Sequence, residues 1–308
     1  MPPDERLRTL HACCHPKLKE DVRVALILHT LCSFSTIEIA HLLRVRETVI
    51  EKQLARGRNA LALSKPHLAS DDVVTRLPDV QRALYLLFNE GYEANGPRAV
   101  STSLCKEAIG LVELLLEHPR ARTGTTHGLA AFMCLHAARL PARADVLERF
   151  IPIEQQDRSK WDAHLIARGL AYLEISARSW ELTDYQIEAA IAAAHASAPS
   201  AEETDWVTIV SLYDSLRVVR PSAVVALHRA IAVGHWMGPE RGLEEVLSIS
   251  GDEVLETRPF YWATLGEFAL RSGKKSEAKR AFRKARELAR NPFERDHYAA
   301  RIAACVAA

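Results

Sequence analysis

The chain has 308 residues, 48% of them hydrophobic, and a formal net charge of +1 at pH 7. That length and apolar content allow at least one substantial core and a division into two or more units. The near-zero net charge excludes a global field drawing the chain onto nucleic acid or membrane, so any such affinity must come from a local patch. The amino terminus has no signal-peptide apolar segment, and no run of about 20 apolar residues follows, so a cytoplasmic protein without membrane contact is expected. Six cysteines in this length, two of them adjacent at Cys13 and Cys14, do not make a disulfide framework. Reduced thiols are expected.

Alanine and leucine dominate, apolar residues recur at spacings of three and four, and alternating runs of Val, Ile and Thr are nearly absent, which predicts an all-α fold. A helix from about Leu18 carries Val24, Leu28 and Leu31 on one face and breaks between Ser33 and Ser35. Ser35 or Thr36 can cap a short helix that turns Ile39, Ala40 and Leu43 inward. After a turn at Arg44 and Val45, a second helix places Ile50, Leu54 and Leu61 on its buried side, which is helix-turn-helix spacing. Residues 1–66 therefore read as a helix-turn-helix domain. The segment KPHLASDDVVTRLPD mixes Pro, Ser and Asp without periodicity, so residues 67–76 read as a linker and 77–308 as an α-helical domain. Helices are predicted there over about 77–92, 103–118, 124–139, 159–179, 184–197 and 203–219.

The last third contains repeats, clearest over 184–290. Trp262, Leu265, Gly266, Gly273, Ala278, Phe282 and Ala285 fall at the offsets of a tetratricopeptide unit, with Gly266 and Ala278 letting two antiparallel helices approach. Tyr213 and Pro221 fit a weaker copy, SAVVALHRAIAVGHWMGPERGLEEVL reads as another helical pair, and a helix over about 293–306 would cap the stack.

From Arg44 through Lys65 there are six basic residues and two acidic ones, a local +4 against +1 overall. A helix can enter the major groove when outward side chains reach base edges and flanking cations neutralise phosphates. Arg46, Thr48, Lys52 and Gln53 are placed for bases, and Arg56 and Arg58 for phosphate; the plainer reading is a solvated helical face. A second basic stretch, Lys274 to Arg290, has eight basic and two acidic residues and reads first as a solvated outer face, second as a surface for an acidic partner or nucleic acid. The cluster HACCHP holds metal-ligand side chains, but consecutive helical residues point about 100° apart and no second pair closes a tetrahedral site, so packing is preferred. His127, Cys134 and His136 read as core for the same reason. In EQQDRSKWD, Ser159 and Asp162 resemble a capping box. No nucleophile elbow, phosphate loop, dinucleotide fingerprint or HExxH is present, so no catalytic residue, metal or cofactor is assigned and an enzyme is not expected.

The stretch DERLRTLHACCHPKLKEDVRVALILHTLCSFSTIEIAHLLRVRETVIEKQLARGRNAL resembles region 4 of bacterial extracytoplasmic-function sigma factors. Together with RALYLLFNEGYEA, LCKEAIGLVELL, EQQDRSKWD, YQIEAAIAAAHA, TDWVTIVSLYD and the closing repeat, it is similar to the subgroup with a long tetratricopeptide-like carboxyl extension. The resemblance implies that the second helix binds the −35 promoter element, with Arg44, Arg46, Thr48, Lys52, Gln53, Arg56 and Arg58 as DNA-contacting positions. It further implies docking on the β flap of RNA polymerase core and a regulatory extension with a possible protein partner of its own.

Two departures from the family pattern follow. The sequence begins at the approach to region 4, so the sigma region that grips core polymerase and melts the −10 element is expected to be missing. Arg44 stands where a turn residue such as Gly is usual, Glu51 and Gln53 replace commonly basic positions, and Gly57 inside a helix costs about 1 kcal/mol relative to Ala. These departures keep open an alternative: a tetratricopeptide-like scaffold for protein binding that has lost promoter recognition.

Overall fold

The computed structural model describes residues 3–15, 17–43, 45–62, 70–92, 101–144, 151–289 and 292–307. Among them are sixteen α-helices and no strand, as the spacing predicts. The chain divides into two compact units, residues 1–189 and 190–308.

The first unit opens with α1 (Pro3–Cys13), α2 (Glu20–Thr30), α3 (Thr36–Leu43) and α4 (Glu47–Ala62). Seven consecutive residues of α2, Val22 to Leu28, are buried, which makes it the central helix of this bundle rather than a one-faced one. α4 packs across α2 and α3, burying Ile50 and Leu54 beside Ile39 and Ala40. Gly57 sits where α4 meets α2: a Cβ there would lie 2.5 Å from Leu26 Cδ1. The helix propensity lost at Gly57 is thus the cost of close approach.

α5 (Ser70–Tyr92), α6 (Thr102–Glu117), α7 (Gly124–Ala137) and α8 (Ala163–Ala177) follow. Of the expected linker, 67–69 lie outside the described residues, whereas Ser70 to Arg76 form the first turns of α5. Pro78 lies inside that helix, where its missing N–H and the polar composition before it conceal the helical start. α1 and α2 pack on α5, and the buried Arg23 guanidinium reaches Asp79 of α5 in an ion pair. Arg82 of α5 pairs with Glu20 of α2 at 3.4 Å. The helix-turn-helix and α5 therefore belong to one packed body.

His11 is fully buried, and neither ring nitrogen has a partner among the described residues. Burial, then the charges of His118 and Arg76, lowers its pKa from 6.5 to about 4. Burial likewise pushes the Cys13 thiol up to about 12 and Cys14 upward, so these side chains behave as apolar packing groups.

In the second unit α10 (Trp206–Val219), α11 (Ala223–Met237), α12 (Pro239–Ser248), the short α13 (Glu253–Glu256), α14 (Pro259–Arg271), α15 (Lys275–Leu288) and α16 (Pro292–Ala307) stack by neighbours; α9 (Asp184–Ser197) precedes them. α11–α12 and α14–α15 are helical hairpins around a core of Leu227, Leu243, Tyr261, Phe268 and Phe282. Gly266 of α14 faces the Phe282 ring so closely that a Cβ would lie 2.9 Å from it, the small-residue contact expected from the repeat offsets.

Replacing Gly57 by Val is expected to lower stability by about 2 kcal/mol, an overpacking cost against buried Leu26 that exceeds the propensity gain. Ala55→Val on the outward side of the same helix is the near-neutral control, both read by thermal unfolding. A second outcome concerns pH. The unfolded His11 takes up a proton that the folded one refuses, so its contribution is lost as pH falls from 6.5 toward 4. Relative to His11→Leu, which cannot titrate, the wild type should lose on the order of 3 kcal/mol across that window in denaturant titrations.

Candidate nucleic-acid interface

The short helix α3 is started by a capping box. Ser35 N–H donates to Glu38 Oε2 at 2.8 Å, while Glu38 N–H donates to Ser35 Oγ at 3.2 Å. The Ser35 backbone N–H first, and then the Ser35 hydroxyl, which donates to the same Oε2 at 2.7 Å, hold the Glu38 carboxyl below its ordinary pKa. Ile39 and Ala40 then anchor α3 inward, Leu43 is half-buried, and the Val45 N–H donates to the Ala40 carbonyl at 3.1 Å across the turn. Thr36 Oγ1 donates to Glu47 Oε1 at 3.2 Å, tying the start of α3 to the first turn of α4.

α4 is 16 residues long, about 24 Å at 1.5 Å per residue, enough to lie along a major groove. Its outward stripe is Thr48, Glu51, Lys52, Ala55 and Asn59, all exposed, with Arg58 on one flank and Arg56 on the other. Arg46 is exposed just before the first turn, and its carbonyl accepts the Val49 N–H at 2.8 Å. Among the described residues, Arg46, Lys52, Arg56 and Arg58 make no ion pair. Lys52 and Arg56 stand four apart on the helix, a like-charge arrangement that costs a few tenths of a kcal/mol unless a polyanion lies across it. Ala55 between them leaves room for close approach of a partner surface.

The structure brings Arg46, Thr48, Lys52, Arg56 and Arg58 to one accessible side. Arg44 lies outside the described residues, as does the Leu61 side chain. Gln53 is a correction. It is only 8% exposed, and its Nε2 donates to Asp21 Oδ2 of α2 at 2.7 Å, so it belongs to the α2–α4 contact and not to the groove-facing side. The signal was in its spacing: three residues after Ile50 and next to Leu54, it falls on the inner stripe.

Residues 12–61 match the family Sigma-70, region 4, and residues 76–177 match a family of unknown function (DUF6596). An uncharacterized protein of Rhizobium meliloti (strain 1021) is 37% identical over 295 residues, spanning 94% of this chain and 69% of the relative. This chain belongs to that protein's family. The region 4 match takes in α2 and α3 whole and α4 up to Leu61, so the amino-terminal part is sigma-factor-like in both fold and sequence. Among the described residues no helix is long and apolar enough to cross a membrane.

The other sequence candidates are placed as follows. On α15, Lys275, Lys279, Arg283 and Arg286 line one face while Ala278, Ala281, Phe282 and Ala285 face the core; Lys284 pairs with Glu287 at 3.4 Å. His127 Nδ1 lies 2.8 Å from the Thr123 carbonyl, burial pushes the Cys134 thiol up to about 12, and His136 packs edge-on to the Tyr92 ring and tilted against the Phe132 ring. In EQQDRSKWD, Asp157 accepts the Ser159 N–H at 3.1 Å within a 3-10 turn, and Asp162 caps α8, accepting from His164 N–H at 2.9 Å and Leu165 N–H at 3.0 Å. The cap is Asp162 rather than Ser159, so α8 starts four residues later than the spacing predicts.

Because Gln53 serves the helix contact, Gln53→Ala should cost about 1 kcal/mol of stability, the net value of a hydrogen bond. It should leave the salt dependence of any DNA binding unchanged, which parallel unfolding and DNA titrations would check.

Proposed function

We propose that the protein acts in transcription as an extracytoplasmic-function sigma-like factor: α4 binds the −35 element of promoter DNA, and the amino-terminal bundle docks on the β flap of RNA polymerase core. In this reading the helical hairpins of α10–α16 are tetratricopeptide-like units with a regulatory role. The observation that carries the proposal is the set of exposed, unpaired cations Arg46, Lys52, Arg56 and Arg58 on the outer side of a helix within the region 4 match. Arg46, Thr48 and Lys52 are assigned to base edges, and Arg56 and Arg58 to phosphates on either flank. The chemistry is binding, with no catalytic residue, metal or cofactor assigned.

Glu51 favours a second reading. It lies on the outward stripe beside Lys52, where a carboxylate repels both phosphate and base acceptors. A chain that keeps its region 4 bundle as a folded platform, and uses its helical hairpins to bind proteins, would tolerate that residue.

Duplexes enriched from a random library by the full chain, then titrated at several salt concentrations, separate the two. The promoter reading expects a log–log salt slope that falls by about 0.9 for each phosphate contact removed, in Arg56→Ala and Arg58→Ala. Lys52→Ala should also relax sequence preference, and Glu51→Gln should tighten binding. Failure to enrich any duplex at low salt would leave the scaffold reading.

A further inference from the structure

The family segment 76–177 contains an arrangement that neither DNA binding nor the hairpin stack uses. Arg139, at the end of α7, is only 8% exposed, and no carboxylate pairs with it among the described residues. Its Nε donates to Gln156 Oε1 at 3.3 Å, and Gln156 in turn donates from Nε2 to the Ile151 carbonyl at 2.8 Å. Its guanidinium carbon stands 5.6 Å from the centre of the Trp161 ring, and that of Arg158 stands 4.7 Å from the same ring. Arg143 lies over the Tyr92 ring at 3.6 Å.

Three guanidinium groups therefore gather around two aromatic rings, and the acidic side chain acting on Arg139 is the exposed Glu154. Two further donors in the cluster are unused among the described residues: Trp161 Nε1, on a side chain 7% exposed, and the buried Tyr92 hydroxyl. Burial first, then the neighbouring arginines Arg143 and Arg158, lowers the Arg139 pKa, while Tyr92 and Glu154 oppose that shift.

The energetics do not balance without a counter-charge. Taking a guanidinium out of water costs several kcal/mol, and a ring face returns about 0.5 to 2 kcal/mol. A neutral amide partner at 3.3 Å does not close that gap. An oxyanion would close it, because guanidinium matches carboxylate and phosphate in a two-point fork, and the indole N–H and phenol O–H supply the neutral donors that complete such a site.

We infer that Arg139, Trp161 and Tyr92 form a binding site for a small oxyanion, the phosphate or carboxylate group of an effector molecule, with Arg158 and Arg143 at its rim. EQQDRSKWD then has a ligand-binding role: Gln156 orients Arg139, and Asp157 and Asp162 fix the turns that present Arg158 and Trp161. This site stands independently of promoter recognition.

The test is thermal unfolding of the full chain in inorganic phosphate, in acetate and in chloride at equal ionic strength. A saturable rise on the order of 2 to 4 °C with phosphate or acetate, absent in chloride, is expected, and which oxyanion produces it identifies the group. Arg139→Met should abolish the rise, which separates this site from adventitious anion binding on α4 or α15. Trp161→Phe keeps the ring without its N–H and should weaken apparent affinity roughly tenfold. No saturable rise with either oxyanion, or an undiminished rise in Arg139→Met, overturns the proposal. Should Arg139→Met fail to fold, an unchanged affinity in Trp161→Phe overturns it equally.

Discussion

The rotation of α4 about its own axis decides what the amino-terminal unit offers to solvent, and two contacts with α2 set it. Gly57 lets the helix backbone close on Leu26, and Gln53 reaches back to Asp21. One contact is steric and the other polar, and they lie four residues apart, one turn of helix, so α4 cannot roll without losing both. A roll of one residue, about 100°, would turn Lys52 and Arg56 against α2 and expose Leu54 in one sense, or turn Glu51 and Arg58 inward in the other. The cationic side is outward because the inner side is specified twice.

That bundle is in turn held to the rest of its unit. The buried Arg23 reaches Asp79, and α1 and α2 both pack on α5, whereas the outward stripe of α4 is exposed. Ion pairing consumes the buried and half-buried cations at these joints, including Arg82 with Glu20, and in the second unit Arg229 with Asp214 and Glu245, and Arg301 with Glu267. Against this background a cation without a carboxylate is informative, and α4 carries three of them, Lys52, Arg56 and Arg58, with Arg46 just before it.

Most of this was legible in the sequence, for physical reasons that also explain the misses. Periodicity placed Ile39, Ala40, Ile50 and Leu54 correctly because each fills an apolar stripe, and small Gly266 marked a close helix approach, which the structure makes against the Phe282 ring. Gln53 was misjudged because a polar residue on an inner stripe is identified by its partner, and Asp21 is 32 residues away. The start of α5 was hidden by Pro78, a residue that ends helices more often than it sits within them. For the proposed oxyanion cluster the segment EQQDRSKWD was visible as a polar stretch, but nothing local joined it to Arg139. Arg139 and Gln156 meet only because the turn after α7 folds back, and nothing in the spacing of a lone arginine tells a buried one from a solvated one.

The exposed cations beside and on α4 and the buried Arg139 differ in what matters most for control. Those on α4 are exposed, so their mutual repulsion is small, and salt screens it within a Debye length of about 8 Å at physiological ionic strength. Binding of a polyanion there must be strongly salt-dependent. Arg139 is only 8% exposed, where screening is weak and the cost of lacking an ion-pair partner is carried by the fold itself. An anion that fills that place therefore returns free energy to the helices around it rather than to a surface. A ligand that binds the folded segment and not the unfolded one shifts stability by mass action. The same near-neutral chain thus holds one surface suited to reading a long polyanion and one buried position suited to sensing a small one.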